Sequence, residues 1–200
     1  MLREQDYKRI KREVDAAEGD ALAYLGRESP WLRPLEPLLR VSKLLELNGL
    51  IHVLIGVRAL PFYGVPHMWG EIVFAVKGLE RFREDSEKGV KVLSRKGERV
   101  RVLDLVENLV VELVAEPTPL RWSKELEEHI VKRRGVKVLS VEDYAVWLIL
   151  RVGGVLGLEL SAKVLYANLG KFDEDYLRRR AEEYGVLESV EEILGNLVGD

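Results

Sequence analysis

The run Ile51-His-Val-Leu-Ile55, closed by Gly56, and the run Glu71-Ile-Val-Phe-Ala-Val76 decide the fold. Both are short, apolar and rich in β-branched residues, the pattern of strands buried in a sheet. Between them, Arg58 to Tyr63 suits a short helix whose first turn is limited by Pro61. Gly64-Val65-Pro66 makes a turn. A strand, a glycine, a helix and a second strand in that order predict an α/β core.

Upstream, Leu2, Tyr7, Ile10, Val14 and Ala17 recur near a helical repeat with charged residues between them, which predicts an amphipathic helix. Ser29-Pro30, Pro34 and Pro37 then punctuate the chain. Leu35, Leu38, Leu39, Val41, Leu44, Leu45 and Leu47 predict a second helix, which Asn48-Gly49 ends. Downstream, Leu79 to Lys88 reads as a short charged helix. Val90–Leu93, Val100–Leu105 and Leu109–Ala115 read as strands, with turns at Gly97 and Asn108. Ser123 to Arg134 reads as a helix with Lys132-Arg-Arg134 at its basic C-terminus and Gly135 after it. Val136 to Leu139 reads as one more short strand.

From Ser140 the pattern is helical. Ser140-Val-Glu-Asp143 resembles a capping box and opens an apolar helix through Leu150. A helix from about Leu158 to Leu169 follows. Asp173 suits the cap of a helix over Glu174–Tyr184, which Gly185 stops. Ser189-Val-Glu-Glu192 suits the opening box of the last helix. The expected class is α/β (α+β): a small mixed sheet flanked by helices over 49–139, N-terminal helices over 1–48, and a C-terminal helical bundle over 140–200.

The chain has 200 residues, 47% of them hydrophobic and 32% charged, enough for a sizeable core and a charged surface. It has no cysteine, which removes disulfides, thiolate zinc sites and cysteine nucleophiles together. A formal net charge of -3 gives no global signal for nucleic acid or membrane. No uncharged apolar stretch reaches the roughly eighteen residues of a membrane span, and the first residues lack an apolar leader core. A cytoplasmic protein is the expectation. The excess of charged residues over Asn, Gln, Cys and Met fits a thermophile.

Chemistry is concentrated around the opening unit. A glycine directly after a buried strand, at a helix N-terminus, lets backbone N–H groups approach a phosphate. Arg58, two residues after Gly56, can add a charge-assisted contact. Residues two apart on a strand share a face, so Glu71 pairs with Val73, and Glu112 with Val114 and Glu116. Glu71 and Glu112 are expected to meet across the sheet. Each residue also has a plainer reading. Gly56 ends a strand, Arg58 is solvated, the two glutamates pair with nearby cations, and His67 is a hydrogen-bonded structural histidine. Trp69 and Trp147 read as core or interface residues.

The run Leu54-Ile-Gly-Val-Arg-Ala-Leu-Pro-Phe-Tyr-Gly-Val-Pro-His-Met-Trp-Gly-Glu-Ile-Val-Phe-Ala-Val76 resembles the active-site segment of nucleotidyltransferase-fold proteins. These form the polymerase-β-like superfamily, and the likeness is to its AbiEii-type and minimal nucleotidyltransferase branches. Gly56, Ala59, Gly64 and Ile72 match that pattern. Val111-Glu-Leu113 resembles the third acidic strand position, and the likeness continues through Val138–Tyr144 and Asp175–Ala181. The resemblance implies transfer of a nucleoside monophosphate with divalent metal held by three acids. It also implies nucleotide contacts at Gly56, Val57, Arg58 and His67, and catalytic and Mg2+-binding roles for Glu71 and Glu112.

The departures bear on that chemistry. Val57 replaces a Gly or Ser, His67 an Arg, Trp69 a Thr, Glu71 the first Asp and Val73 the second. A lysine expected near Trp147-Leu148 is absent. Losing such stabilisation of transition-state charge costs about 100- to 1000-fold in rate per group. The expectation is therefore a degenerate nucleotidyltransferase-like protein that retains nucleotide binding or serves a protein partner or homodimer through its N-terminal helices. The alternatives are an active Mg2+-dependent nucleotidyltransferase and, by family analogy, a toxin–antitoxin-like component.

Overall fold

The computed structural model describes residues 1–17, 35–67 and 70–197. Met68, Trp69, Ser29-Pro30 and Pro34 lie outside the described residues. The two deciding runs form strands β1 (Ile51–Ile55) and β2 (Ile72–Lys77), paired antiparallel from Ile51↔Lys77 to Ile55↔Val73. A 3-10 helix, Val57–Tyr63, connects them, with Pro61 inside it. The three following strands are β3 (Val90–Lys96), β4 (Arg99–Asp104) and β5 (Leu109–Val114), and β6 (Val131–Arg133) and β7 (Val136–Val138) complete the sheet. The strand order is β3-β4-β5-β2-β1-β7-β6. β5 returns parallel to β2, with Val73 beside Glu112, and β7 lies parallel to β1; the sheet is mixed.

The two faces of this sheet have different fates. Phe74, Val76, Val102, Asp104, Val111 and Leu113 alternate onto a face buried under α2 (Leu35–Leu47), which lies along β1, β7 and β4. Arg40 of α2 reaches across to the fully buried Asp104 with two hydrogen bonds of 2.6 and 2.9 Å. His52, on the same face, sits between Ser42 of α2 and the Leu50 carbonyl. The opposite face carries Val73, Glu112, Arg101 and Arg99, and this face holds the cleft described below.

The other helices are α1 (Glu4–Ala16), α3 (Lys124–Glu128), α4 (Val141–Arg151), α5 (Gly154–Ala167), α6 (Glu174–Glu183) and α7 (Leu187–Leu197). Ser140 caps α4, its Oγ accepting from the Asp143 N–H at 3.1 Å, and Asp173 caps α6 by accepting from the Tyr176 N–H at 3.0 Å. The two helices expected to form one N-terminal segment go to different places. α2 covers the sheet, whereas α1 buries Tyr7, Ile10 and Val14 and packs on α5 and α7. One continuous hydrophobic core runs from Leu2 to Leu194. Among the described residues, no helix is long and apolar enough to cross a membrane.

Four sequence expectations need correction. Leu79 to Lys88 is not a helix. Only Leu79–Arg81 makes a 3-10 turn, and the Arg83 N–H then bonds to the Asn48 side chain at 2.8 Å. Residues 82–85 instead line the outer edge of β3. The Val92 N–H donates to Glu84 at 2.5 Å, Arg95 donates to the Phe82 carbonyl at 2.8 Å, and Asp85 bridges Val90. The helix from Ser123 stops at Glu128, and Lys132-Arg133 belongs to β6, which turns at Arg134-Gly135 (φ 49° and 85°) into β7. α5 begins at Gly154, four residues before Leu158. α7 begins at Leu187, so Ser189 lies within it rather than capping it, and Glu192 accepts from the Leu2 N–H at 3.0 Å.

Candidate functional site

A cleft of about 450 Å³ opens on the sheet face opposite α2. That is within the usual size of small-molecule sites. β1 contributes Ile55 and the loop after it Gly56 and Val57; β2 contributes Val73, preceded by Glu71. β4 and β5 contribute Arg99, Glu112 and Val114, and α4 closes the far wall with Trp147 and Arg151. Glu98, Ala115, Glu116 and Thr118 complete the rim.

Local backbone chemistry explains why these groups converge. Gly56 has φ 84° and ψ 169°, a conformation that strains any residue with a Cβ, and this lets β1 break directly into the 3-10 helix. Its carbonyl accepts from the Tyr144 hydroxyl of α4 at 2.9 Å. Tyr144 stacks on Tyr63 of the 3-10 helix at 4.2 Å and, nearly parallel, lies beside Trp147 at 5.9 Å. Trp147 is held by its indole N–H, which donates to the Thr118 carbonyl at 3.1 Å. α4 itself is clamped from behind. Asp143 accepts from Arg180 at 2.6 Å and from the Tyr176 hydroxyl at 2.8 Å, and both charged side chains are almost fully buried.

The structure brings four of the expected residues, Gly56, Val57, Glu71 and Glu112, to this one cleft. Arg58 and His67 are not among its lining residues. Arg58 is half-buried, its Nε has no hydrogen-bond partner, and burial holds its guanidinium below the usual arginine range. His67 is partly buried beyond the 3-10 helix. Trp147, read from sequence as a core or interface residue, is mostly buried yet forms cleft wall.

Sequence reasoning missed Arg99, Arg151 and Glu98. The signals were present. Arg99 and Arg101 alternate with valines in Arg99-Val-Arg-Val102, which puts both on one strand face. Arg151 follows Trp147 by one helical turn. Both arginines fall just outside the expected element boundaries, β4 from Val100 and α4 to Leu150.

Electrostatically, four carboxylates (Glu71, Glu98, Glu112, Glu116) face two guanidinium groups (Arg99, Arg151). Arg99 Nη1 stands 3.4 Å from Glu112 Oε1. Val73 is the register partner of Glu112 on β2, so an apolar side chain stands beside the one interior acid. Among the described residues no group of three or more His, Asp or Glu side chains is arranged to hold a metal ion. This donor set does not fit a centre in which three acids share two ions. No family model matches this chain, and no curated protein matches it.

Proposed function

We propose that this chain is a nucleotidyltransferase-like protein that binds a nucleotide in the cleft without the two-ion transfer chemistry of that superfamily. One observation carries the reading. Gly56-Val57, Glu71 and Glu112, from three separate stretches of the sequence, line a single cleft on antiparallel β1 and β2 and on β5 parallel to β2. The apolar wall of Val57, Val73, Val114 and Trp147 suits a base and sugar. Arg99 and Arg151 are the cleft's own sources of charge for the phosphates. The surrounding carboxylates set a limit on affinity, because an anion entering beside Glu98 and Glu116 is repelled.

A thermal-shift screen with ATP, GTP, CTP and UTP tests the reading. A nucleotide at about 100 times its Kd stabilises by about 2.7 kcal/mol. For a domain of this size that is a rise of about 5–10 °C in Tm. No shift with any of the four overturns the proposal. The second reading, an active Mg2+-dependent nucleotidyltransferase, draws on Glu71 and Glu112 sharing the cleft. It requires a Mg2+-dependent shift that Glu71→Gln abolishes, together with transfer of labelled nucleoside monophosphate to an acceptor. A partner role through α1 would have to use its charged side, since its apolar stripe is covered by α5 and α7.

A further inference from the structure

We propose that guanidinium groups take the place of a divalent cation in this cleft. The inference rests on the nucleotide reading for its ligand class, but not for its geometry. Glu112 is the acid that the resemblance places at a metal. In the sheet it lies directly between Arg101 of β4 and Val73 of β2, the three forming one row on the cleft face. Arg99, two residues from Arg101 and on the same face, reaches Glu112 at 3.4 Å. The Glu112 side chain is only 20% exposed, whereas that of Arg99 is 64% exposed and lines the opening.

A carboxylate with one arginine in contact and another opposite it on the neighbouring strand already has a cation at its side. An entering Mg2+ would have to shed water, displace Arg99 and sit against Arg101, with Val73 offering no oxygen in return. Glu71, exposed just before β2, then loses Glu112 as a partner, and the acids that line the cleft form no metal-holding group among the described residues. The displaced function passes to the guanidinium. Arg presents a planar fork of donors that matches a phosphate, is always charged, and needs no metal to do so. Arg99 is therefore the cleft residue that meets the anionic group of the ligand, and the cleft excludes divalent ions while it does.

Mn2+ titration followed by electron paramagnetic resonance tests the exchange on the protein alone. The wild type is expected to take up no Mn2+ up to about 1 mM, the weak end of protein divalent sites. The double variant Arg99→Ala/Arg101→Ala is expected to acquire Mn2+ binding, and Arg99→Ala/Arg101→Ala/Glu112→Gln to lose it again, with Tm reported for each to show folding. Calorimetry with ATP supplies the second arm. Affinity in EDTA should equal that in Mg2+, and Arg99→Ala should weaken it about tenfold or more, with Arg99→Lys in between.

Mn2+ uptake by the wild type that Glu112→Gln removes overturns the inference, whatever ATP does. Failure of the double variant to admit Mn2+ overturns it as well, because the arginines are then not what excludes the ion. If ATP binds tenfold more tightly with Mg2+, it falls on the ligand side. If no nucleotide binds but the Mn2+ results hold, the nucleotide reading falls and the exchange of cation stands.

Discussion

Inside β1, His52 donates from Nδ1 to the Leu50 carbonyl (3.1 Å) and accepts at Nε2 from the Ser42 hydroxyl (2.8 Å). The carbonyl can only accept, which sets the tautomer. Burial pushes the imidazole down to about 4 against the hydrogen bond to Leu50, with Lys137 and Lys132 adding to the effect and Glu46 opposing it. A base depressed in the folded state gives stability that is complete above its unfolded value near 6.5 and is lost as pH falls towards 4. From pH 7 to pH 5 the wild type should therefore lose about 2 kcal/mol that a His52→Gln variant does not lose. Urea denaturation at the two pH values measures this; parallel losses in both proteins would show that His52 titrates normally. Little of this was legible in the sequence. Ile51 to Ile55 reads as a strand from its β-branched residues, but a histidine in such a run does not disclose its partner on α2. The same limit applies at Glu112. Its face followed from alternation, whereas its neighbour Arg101 depends on a register set by the turn at Asn108.

Elements whose patterns are local were readable, and those decided by distant partners were not. β1, β2, α2 and α6 match their apolar repeats and caps. The stretch after Ser123 carries a good helical composition, yet Val131 to Arg133 pairs with Val136 to Val138 across a two-residue turn. Positive φ at both Arg134 and Gly135 suits a tight hairpin, and a β-branched alternation was the available clue. α5 starts early despite Gly153-Gly154 because it packs tightly on α4; a Cβ at Gly157 would come within 2.7 Å of the Leu148 carbonyl.

The buried ion pair between α4 and α6 is equally non-local. Arg180 of α6 is 1% exposed and Asp143 of α4 is fully buried, and burial pushes the Asp143 carboxyl up against the pull of Arg180, Tyr176 and Ser140. Arg180→Ala leaves that carboxylate unpaired and is expected to cost about 3–5 kcal/mol. Arg180→Met with Asp143→Leu should recover most of it. Because α4 carries Trp147 and Arg151, the single variant should also loosen the nucleotide binding proposed for the cleft. Denaturant midpoints for both proteins check the first two expectations, and equal losses would show that the pair is not the cause.

At the scale of the molecule, the N-terminal helix is part of the C-terminal bundle. Arg9 holds Glu159 of α5 through two hydrogen bonds of 3.1 and 2.9 Å, and Lys163 bridges Glu159 and Glu13 at 2.9 and 2.6 Å. The hydrogen bonds from Arg9 lead in pulling the Glu159 carboxyl down to about 2. A depressed acid gives stability that is present above its ordinary value of 4.5 and fades as pH falls towards 2. At neutral pH, Glu159→Gln should cost about 1 kcal/mol, because the network is partly solvated. Trypsin cleavage at Lys8 and Lys11 should accelerate in the variant. Near pH 2 the two proteins should have the same stability, and a difference that persists there would exclude Glu159 as its source.

The 82–85 segment that replaces the expected helix also governs how this molecule behaves in a crowd. Amide and carbonyl groups along an outer strand invite other chains to extend the sheet. Here Glu84 takes one of the β3 amides, Asp85 bridges Val90, and Arg95 folds over Phe82. The far border of the sheet, β6, is three residues long and carries Lys132 and Arg133. Growth into a continuous ribbon is discouraged at both ends. Concentrated solutions should therefore stay free of fibrils, and deleting the carboxylate with Glu84→Ala would uncover the border most open to recruitment.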